Sequence, residues 1–195
     1  MKRPILVAVL LAILAFPAQS WAATYDVDLD HTTVSFKVKH LFSKVQGEFK
    51  KFSGTIEYDP DKPETWAAQG TIDATSIDTN VPERDKHLRS ADFFEVEKYP
   101  TIAFKTTKVT EATKEGAKVE GLITIHGVEK PITLDLEIHG VGKDPWGNVR
   151  AGFTATTRIN RKDFGLTWNQ ALETGGVLVG DEVDITLEIE GLLKQ

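Results

Sequence analysis

Between Thr33 and the last strand-like run, apolar residues recur at every second position, and this period of two constrains the fold more than any other feature of the chain. Val34, Phe36 and Val38 alternate with Ser35, Lys37 and Lys39, and Ile132, Leu134, Leu136 and Ile138 alternate with Thr133, Asp135 and Glu137. Such a stripe puts one face of a β-strand in a core and the other in water. Similar runs carry Ile102 and Phe104, Val119, Ile123 and Ile125, Val149, Phe153 and Ile159, and finally Val183, Ile185, Leu187 and Ile189. That makes roughly eight one-sided strands joined mostly by short, turn-rich connections, enough to close an antiparallel barrel. No linker or shift of composition divides residues 23–195, so they read as one all-β domain with one or two short helices.

Where the phase slips, the strand must bend. Val45 and Phe49 occupy odd positions but Phe52, Ile56 and Tyr58 even ones, which calls for an extra residue near Lys50-Lys51, as in a β-bulge. Residues 162–181, with Trp168 and Gly175-Gly176, are long for a connector and are expected at the mouth of the barrel. The clearest helical segment is RDKHLRSADFFEVEKYP, residues 84–100. Asn80 and Glu83 have the spacing of a capping box, and Pro82 is tolerated in a first turn. The apolar face is small, mainly Val81 and Leu88 followed by Phe93 and Phe94, so the segment must lean on the sheet.

At the other extreme, Lys2 and Arg3 precede an apolar run from Ile5 to Phe16, and Ser20-Trp21-Ala22 has the small residues of a cleavage site. Residues 1–22 therefore read as a secretory signal peptide, and the run is too short for a membrane anchor. The expected compartment is the periplasm. The whole chain carries a formal charge of −6, which argues against nucleic acid and anionic membrane surfaces as partners. It contains no cysteine, which removes thiol chemistry and every metal site built on sulfur.

Motifs for catalysis are absent from the sequence. Asp26, Asp28 and Asp30 have the start of a calcium loop, but His31 stands where glycine is needed and Lys37 where a glutamate is needed; the wet face of an edge strand is the expectation. The five histidines include no HExxH, and neither GxSxG nor a complete phosphate loop occurs. His40 shares phase with Val38 and points inward near a strand end, as a structural histidine or, in the alternative, an acid-base group. His126 precedes Gly127 and is expected to hold that turn. No catalytic residue and no metal ligand is assigned.

Small residues share the apolar phase at Gly47, Gly54, Gly70, Gly121, Ala151 and Ala155. They either leave room in the lumen for a slender apolar ligand or mark bends in a core filled by neighbouring bulk. On the first reading, strand phase selects Phe36, Val38, Phe49, Ile72 and Phe104 as cavity lining, and Ile123, Leu134, Phe153, Ile185 and Leu187 with them. Trp168 is added as a mouth residue, its alternative being a loop anchor outside the barrel.

His31-x-x-Val34-x-Phe36-x-Val38-x-His40, Gly47-x-Phe49-x-x-Phe52-x-Gly54 and Arg84-Asp85-x-His87-Leu88-x-Ser90-x-Asp92-Phe93-Phe94 occur in order. Tyr99-Pro100-x-Ile102-x-Phe104, His126-Gly127-Val128-x-Lys130-Pro131, Arg161-x-Asp163-Phe164-Gly165 and Gly180-Asp181 follow. Together they resemble the YceI family of bacterial periplasmic proteins over essentially the whole of residues 23–195. The resemblance implies a lipocalin-like barrel that binds, stores or transports a polyisoprenoid or quinone-type lipid non-covalently, with no other cofactor and no catalytic residues. It also suggests a cytochrome b561-type membrane protein as a partner. The alternatives are an enzyme acting on such a lipid and a stress-protective protein with a filled core.

Overall fold

The computed structural model describes residues 22–173 and 175–194; the signal segment expected over residues 1–22 lies outside them apart from Ala22. The strand segments are β1 (Ala23–Val27), β2 (Thr33–His40), β3 (Ser43–Phe49), β4 (Phe52–Tyr58), β5 (Ala67–Asp73) and β6 (Ile77–Asp78). The helix α1 (Pro82–Arg89) follows, then β7 (Thr101–Thr110), β8 (Gly116–Ile125), β9 (Val128–Lys143), β10 (Val149–Asn160) and β11 (Val179–Leu193).

Every strand pairing is antiparallel, and three pairs of segments act as single bent staves. β2 pairs with β3 while β1 pairs with β4, and β6 continues the edge of β3 while β5 continues that of β4. Counted as staves, these segments make a closed barrel of eight strands. β11 closes it, pairing with β10 on one side and, on the other, with β2 through Val179–Glu188 and with β1 at Gly191–Leu193.

The expected slip at Lys50-Lys51 is the break between β3 and β4. There Lys50 N donates to Ser76 O at 3.2 Å and Lys51 N to Ser76 Oγ at 3.0 Å, so the 3₁₀ turn Ala74–Ser76 satisfies the backbone that the bend withdraws from the ladder. The β8–β9 hairpin turns on His126 and Gly127, with φ of 51° and 73°. Positive φ at both central residues is what a tight two-residue hairpin of matching twist requires.

The three aspartates do not lie on an edge strand. β1 is paired on both sides, and Asp28, just beyond it, joins a cluster around Arg150. The Arg150 guanidinium binds Asp28, reaches Asp144 Oδ2 at 2.9 Å and Glu190 Oε1 at 2.5 Å, and so ties β1, the β9–β10 turn and β11 together. His31 adds a contact to Asp28 at 2.9 Å. Asp28, His31 and Glu190 could be taken for metal ligands, but the guanidinium already bridges both carboxylates.

The helix also differs from expectation at its start. Val81 is the N-cap, no side chain caps it, and Asn80 adopts φ of 61° instead of forming a capping box. What fixes α1 is a set of long-range charged hydrogen bonds. Buried Asp85 accepts from Thr79 N at 2.9 Å and Thr79 Oγ1 at 2.5 Å, while Arg84 Nε and Nη2 donate to Thr79 Oγ1 and O, each at 2.7 Å. Arg89 Nε donates to Thr75 O at 2.7 Å and Nη2 to Ile77 O at 2.5 Å. The charges that make the helix look like a solvated surface are the groups that bolt it to the end of the sheet.

Arg150 holds the Asp28 carboxyl down to about 2 and Asp144 lower still, against an ordinary 3.8. A depressed carboxylate contributes stability at neutral pH that is lost as pH falls from 3.8 towards 2. Arg150→Met should therefore lower the urea midpoint at pH 7, and the gap between variant and parent should narrow through that acid window. Urea titrations across pH check this; a gap that stays constant would assign the loss to packing alone.

Candidate functional site

The staves enclose an almost wholly apolar cavity of about 610 Å³. Its wall is built by the inward positions of the alternation, since side chains two apart on a strand share a face. Phe36, Val38, Phe49, Ile72, Phe104 and Ile123 all stand on it, as do Leu134, Phe153, Ile185, Leu187 and, from the long loop, Trp168. The core is not filled solid.

The glycines divide into two kinds. A Cβ at Gly47 would lie 2.4 Å from Phe36 Cζ, and one at Gly121 would lie 2.4 Å from the Phe104 ring. Neither glycine forms part of the wall, so these two do not open the lumen by their own absence of bulk. They let an aromatic ring from the neighbouring strand lie across them. Gly54 and Gly70, directly opposed between β4 and β5, do line the cavity, and there bare backbone bounds it.

One end is shut. Tyr58, Trp66 and Phe153 are buried, with Tyr58 4.8 Å from Trp66 and 5.1 Å, edge-on, from Phe153 between ring centroids. Trp66 Nε1 donates to Asp59 O at 2.6 Å, which satisfies the indole N–H of the plug. Burial pushes the Tyr58 hydroxyl pKa up, so the plug stays neutral.

Polar wall residues gather at the opposite end, where His40 closes β2, Thr79, Glu83, Arg84 and His87 come from α1 and its approach, and Arg161 follows β10. Glu83 is exposed, so the lumen reaches the surface beside the helix. An aromatic group frames this mouth. His87 meets Phe93 edge-on at 5.1 Å and Trp168 edge-on at 4.8 Å, and Phe93 lies 5.2 Å from Trp168. Phe94 turns the other way and packs edge-on against Phe49 at 5.8 Å. Trp168 is thus part of the mouth, and both phenylalanines serve it.

The long loop is held by Arg161, 5% exposed. Its guanidinium donates to Gly180 O at 2.9 Å, Leu166 O at 2.5 Å and Trp168 O at 2.9 Å, and reaches Asp181 at 3.4 Å. Burial lowers its pKa, with Asp181 opposing the shift. His126 Nδ1 lies 3.2 Å from Phe164 O and its ring 4.5 Å from that of Tyr99, so it joins the β8–β9 turn to the foot of this loop. His40 makes no side-chain hydrogen bond among the described residues.

Sequence phase located the wall but not the plug of Tyr58 and Trp66, nor the clamps at Thr79 and Arg161. The phase of Tyr58 was a signal for the first. The others depend on how the chain turns at Thr79 and after Arg161, which presents backbone groups to side chains five or more residues away and which strand phase does not record.

Residues 25–191 match the YceI-like domain. This chain belongs to the YceI-like family. A UPF0312 protein of Vibrio cholerae is 40% identical over the full length of both chains, and one of Ectopseudomonas mendocina is 39% identical over 98% of this chain and 99% of its own. Among solved YceI-like folds, the Campylobacter jejuni YCEI protein is 37% identical, with a TM-score of 0.70 over 82% of this chain and 91% of that one. Burkholderia cenocepacia BcnA is 27% identical, with a TM-score of 0.75 over 84% and 98%. The fold also matches a polyisoprenoid binding domain from Saccharophagus degradans implicated in plant cell wall breakdown, at 16% identity and a TM-score of 0.65 over 89% and 99%.

If Gly121 gives the Phe104 ring its place on the wall, Gly121→Val should drive that ring into the lumen. The expected cost is about 1–3 kcal/mol of unfolding free energy, measured by urea titration. Phe104→Leu in the same chain should recover part of it; a Gly121→Val protein as stable as the parent contradicts the arrangement.

Proposed function

We propose that this protein binds a long isoprenoid lipid, of the polyisoprenoid or quinone type, within its barrel, and stores or carries it in the periplasm. The observation that carries the reading is the largely apolar lumen of about 610 Å³, shut by Tyr58, Trp66 and Phe153 at one end and bordered by His40, Arg84, His87 and Arg161 at the other. That polarity matches a ligand with an apolar tail and one polar head. Each methylene withdrawn from water contributes about 0.8 kcal/mol, so ten of them give roughly 8 kcal/mol before ordering costs.

The printed description of the Saccharophagus degradans neighbour as a polyisoprenoid binding domain supports the same class of ligand. The segment from Lys2 to Ala22 supports export, and an aqueous compartment is where a hydrocarbon chain needs shelter. A cytochrome b561-type membrane protein, expected from the family resemblance, would be a source or recipient of a quinone-type cargo. The reading is one of binding, not turnover. His40, on the wall and without a side-chain partner among the described residues, is the group through which a lipid-modifying enzyme would act. A reaction product from extracted lipid, lost in His40→Ala, would favour that second reading.

Gentle purification, organic extraction and mass spectrometry test the proposal directly. The expected result is a stoichiometric prenyl lipid; protein that emerges empty, and stays empty when offered such lipids, would overturn it. Replacing Phe93 and Phe94 together by Ala should lower the melting temperature, at a cost of about 3 kcal/mol or more, and reduce the lipid retained through purification. Unchanged melting with unchanged lipid would remove the mouth from the account.

A further inference from the structure

The β2–β3 hairpin ends on two apolar residues where a turn is ordinarily polar. Leu41 takes the left-handed conformation, φ 51°, and Phe42 is 100% exposed. Leu41 N donates to Leu178 O at 3.0 Å, which sets the tip beside Val177, itself 50% exposed. On either side of this tip, His40 and Leu178 line the cavity. The other large aromatic with high exposure, Trp146 at 82%, belongs to the β9–β10 turn at the shut end. An exposed phenyl ring in continuity with the opening of an apolar lumen asks for an occupant.

Charge indicates which one. Residues 31–47 contain Lys37, Lys39 and Lys44 and no carboxylate, in a chain whose formal charge is −6. The acids facing the hairpin from β11 are already held by cations. Asp184 pairs with Lys44 at 2.8 Å and Arg158 at 2.6 Å, and Asp181 with Lys162 at 2.9 Å and Arg161 at 3.4 Å. Lys44 is engaged by Asp184, which leaves Lys37 and Lys39 of β2 in no ion pair among the described residues; an apolar tip with cations behind it is the pattern of a segment that lies in a membrane interface, its ring among the upper acyl chains and its ammonium groups towards anionic head groups.

We propose that the β2–β3 tip, Leu41 and Phe42 with Val177 beside them, docks the mouth of the barrel on an anionic lipid bilayer. This rests on the reading of the lumen as a lipid site, since docking there gives a lipid a path from bilayer to cavity that avoids water. It adds a surface, a partner and an orientation to that reading.

The test uses vesicles of phosphatidylethanolamine with phosphatidylglycerol and the full chain as purified. Wild type should float with the vesicles, and Phe42→Ser should bind about tenfold less, the order expected for one phenyl ring no longer buried. Its melting temperature should not change, because Phe42 packs against nothing. Phe42→Cys introduces the sole cysteine, and a polarity-sensitive dye on it should shift to the blue on these vesicles and less on phosphatidylcholine alone. Equal flotation of wild type and Phe42→Ser overturns the proposal. So does a dimer that Phe42→Ser dissociates with flotation unchanged, which would give the tip to a second copy. Lipid content, measured on the same preparations, separates the two readings: an empty lumen with Phe42-dependent flotation sinks the lipid site and leaves the docking surface, and a filled lumen with Phe42-independent flotation does the reverse.

Discussion

Closure of the sheet on itself is the constraint from which the cavity follows. β11 is shared between two partners along one edge, β2 for most of its length and β1 at its end, and this sharing is possible only because the first stave bends between them. With the sheet closed through β11, the strands have an inside and an outside. The alternation of apolar and polar residues then does two jobs with one pattern, wetting the outer wall and greasing the inner one.

A closed barrel of eight strands holds little more than its own side chains, so a lumen of about 610 Å³ needs bulk to be moved aside. The means is the pairing of aromatic residues with glycines on adjacent strands. Phe36 over Gly47 and Phe104 over Gly121 spread ring area along the wall and away from the axis. Gly54 opposite Gly70 thins the wall to backbone. Meanwhile Tyr58, Trp66 and Phe153 gather aromatic bulk at the shut end. The same residue class thus builds both the floor and the clear space above it.

Much of this was legible in the sequence, because strand phase is a local property and side-chain direction follows from it. The wall positions came from phase alone, and the slip at Lys50-Lys51 announced the bend. Glycines at Gly47 and Gly121 were visible as missing side chains, yet which ring would cover them depends on register between strands, which phase does not give. The aspartates near residue 28 look like an edge because their partners, Arg150 and Glu190, lie at the far end of the chain. Asp85 gave no sign that it would be buried: its ligand is a backbone N–H at Thr79, exposed only after the chain turns there. The misread capping box has the same origin, since Asp85 and Arg84 hold the approach to the helix more firmly than Asn80 could cap it.

The disposition of charge at the mouth bears on what kind of ligand the site can prefer. Arg84, Asp85, Arg89 and Arg161 all stand at or near the opening, yet each is bonded to protein backbone or to a neighbouring side chain. A guanidinium already donating to carbonyls has few N–H groups left for a phosphate, and drawing it away would unfasten the helix or the loop it holds. The polar groups at the rim for which no side-chain hydrogen bond is formed among the described residues are the imidazole of His40, the indole N–H of Trp168 and the exposed carboxylate of Glu83, none of them a cationic clamp. With its guanidinium groups engaged, the opening leaves the length and girth of an apolar tail, set by Phe36, Phe104 and the plug, as the main basis on which the site can select. Selection by shape lets a bound molecule leave without a desolvated ion pair being broken.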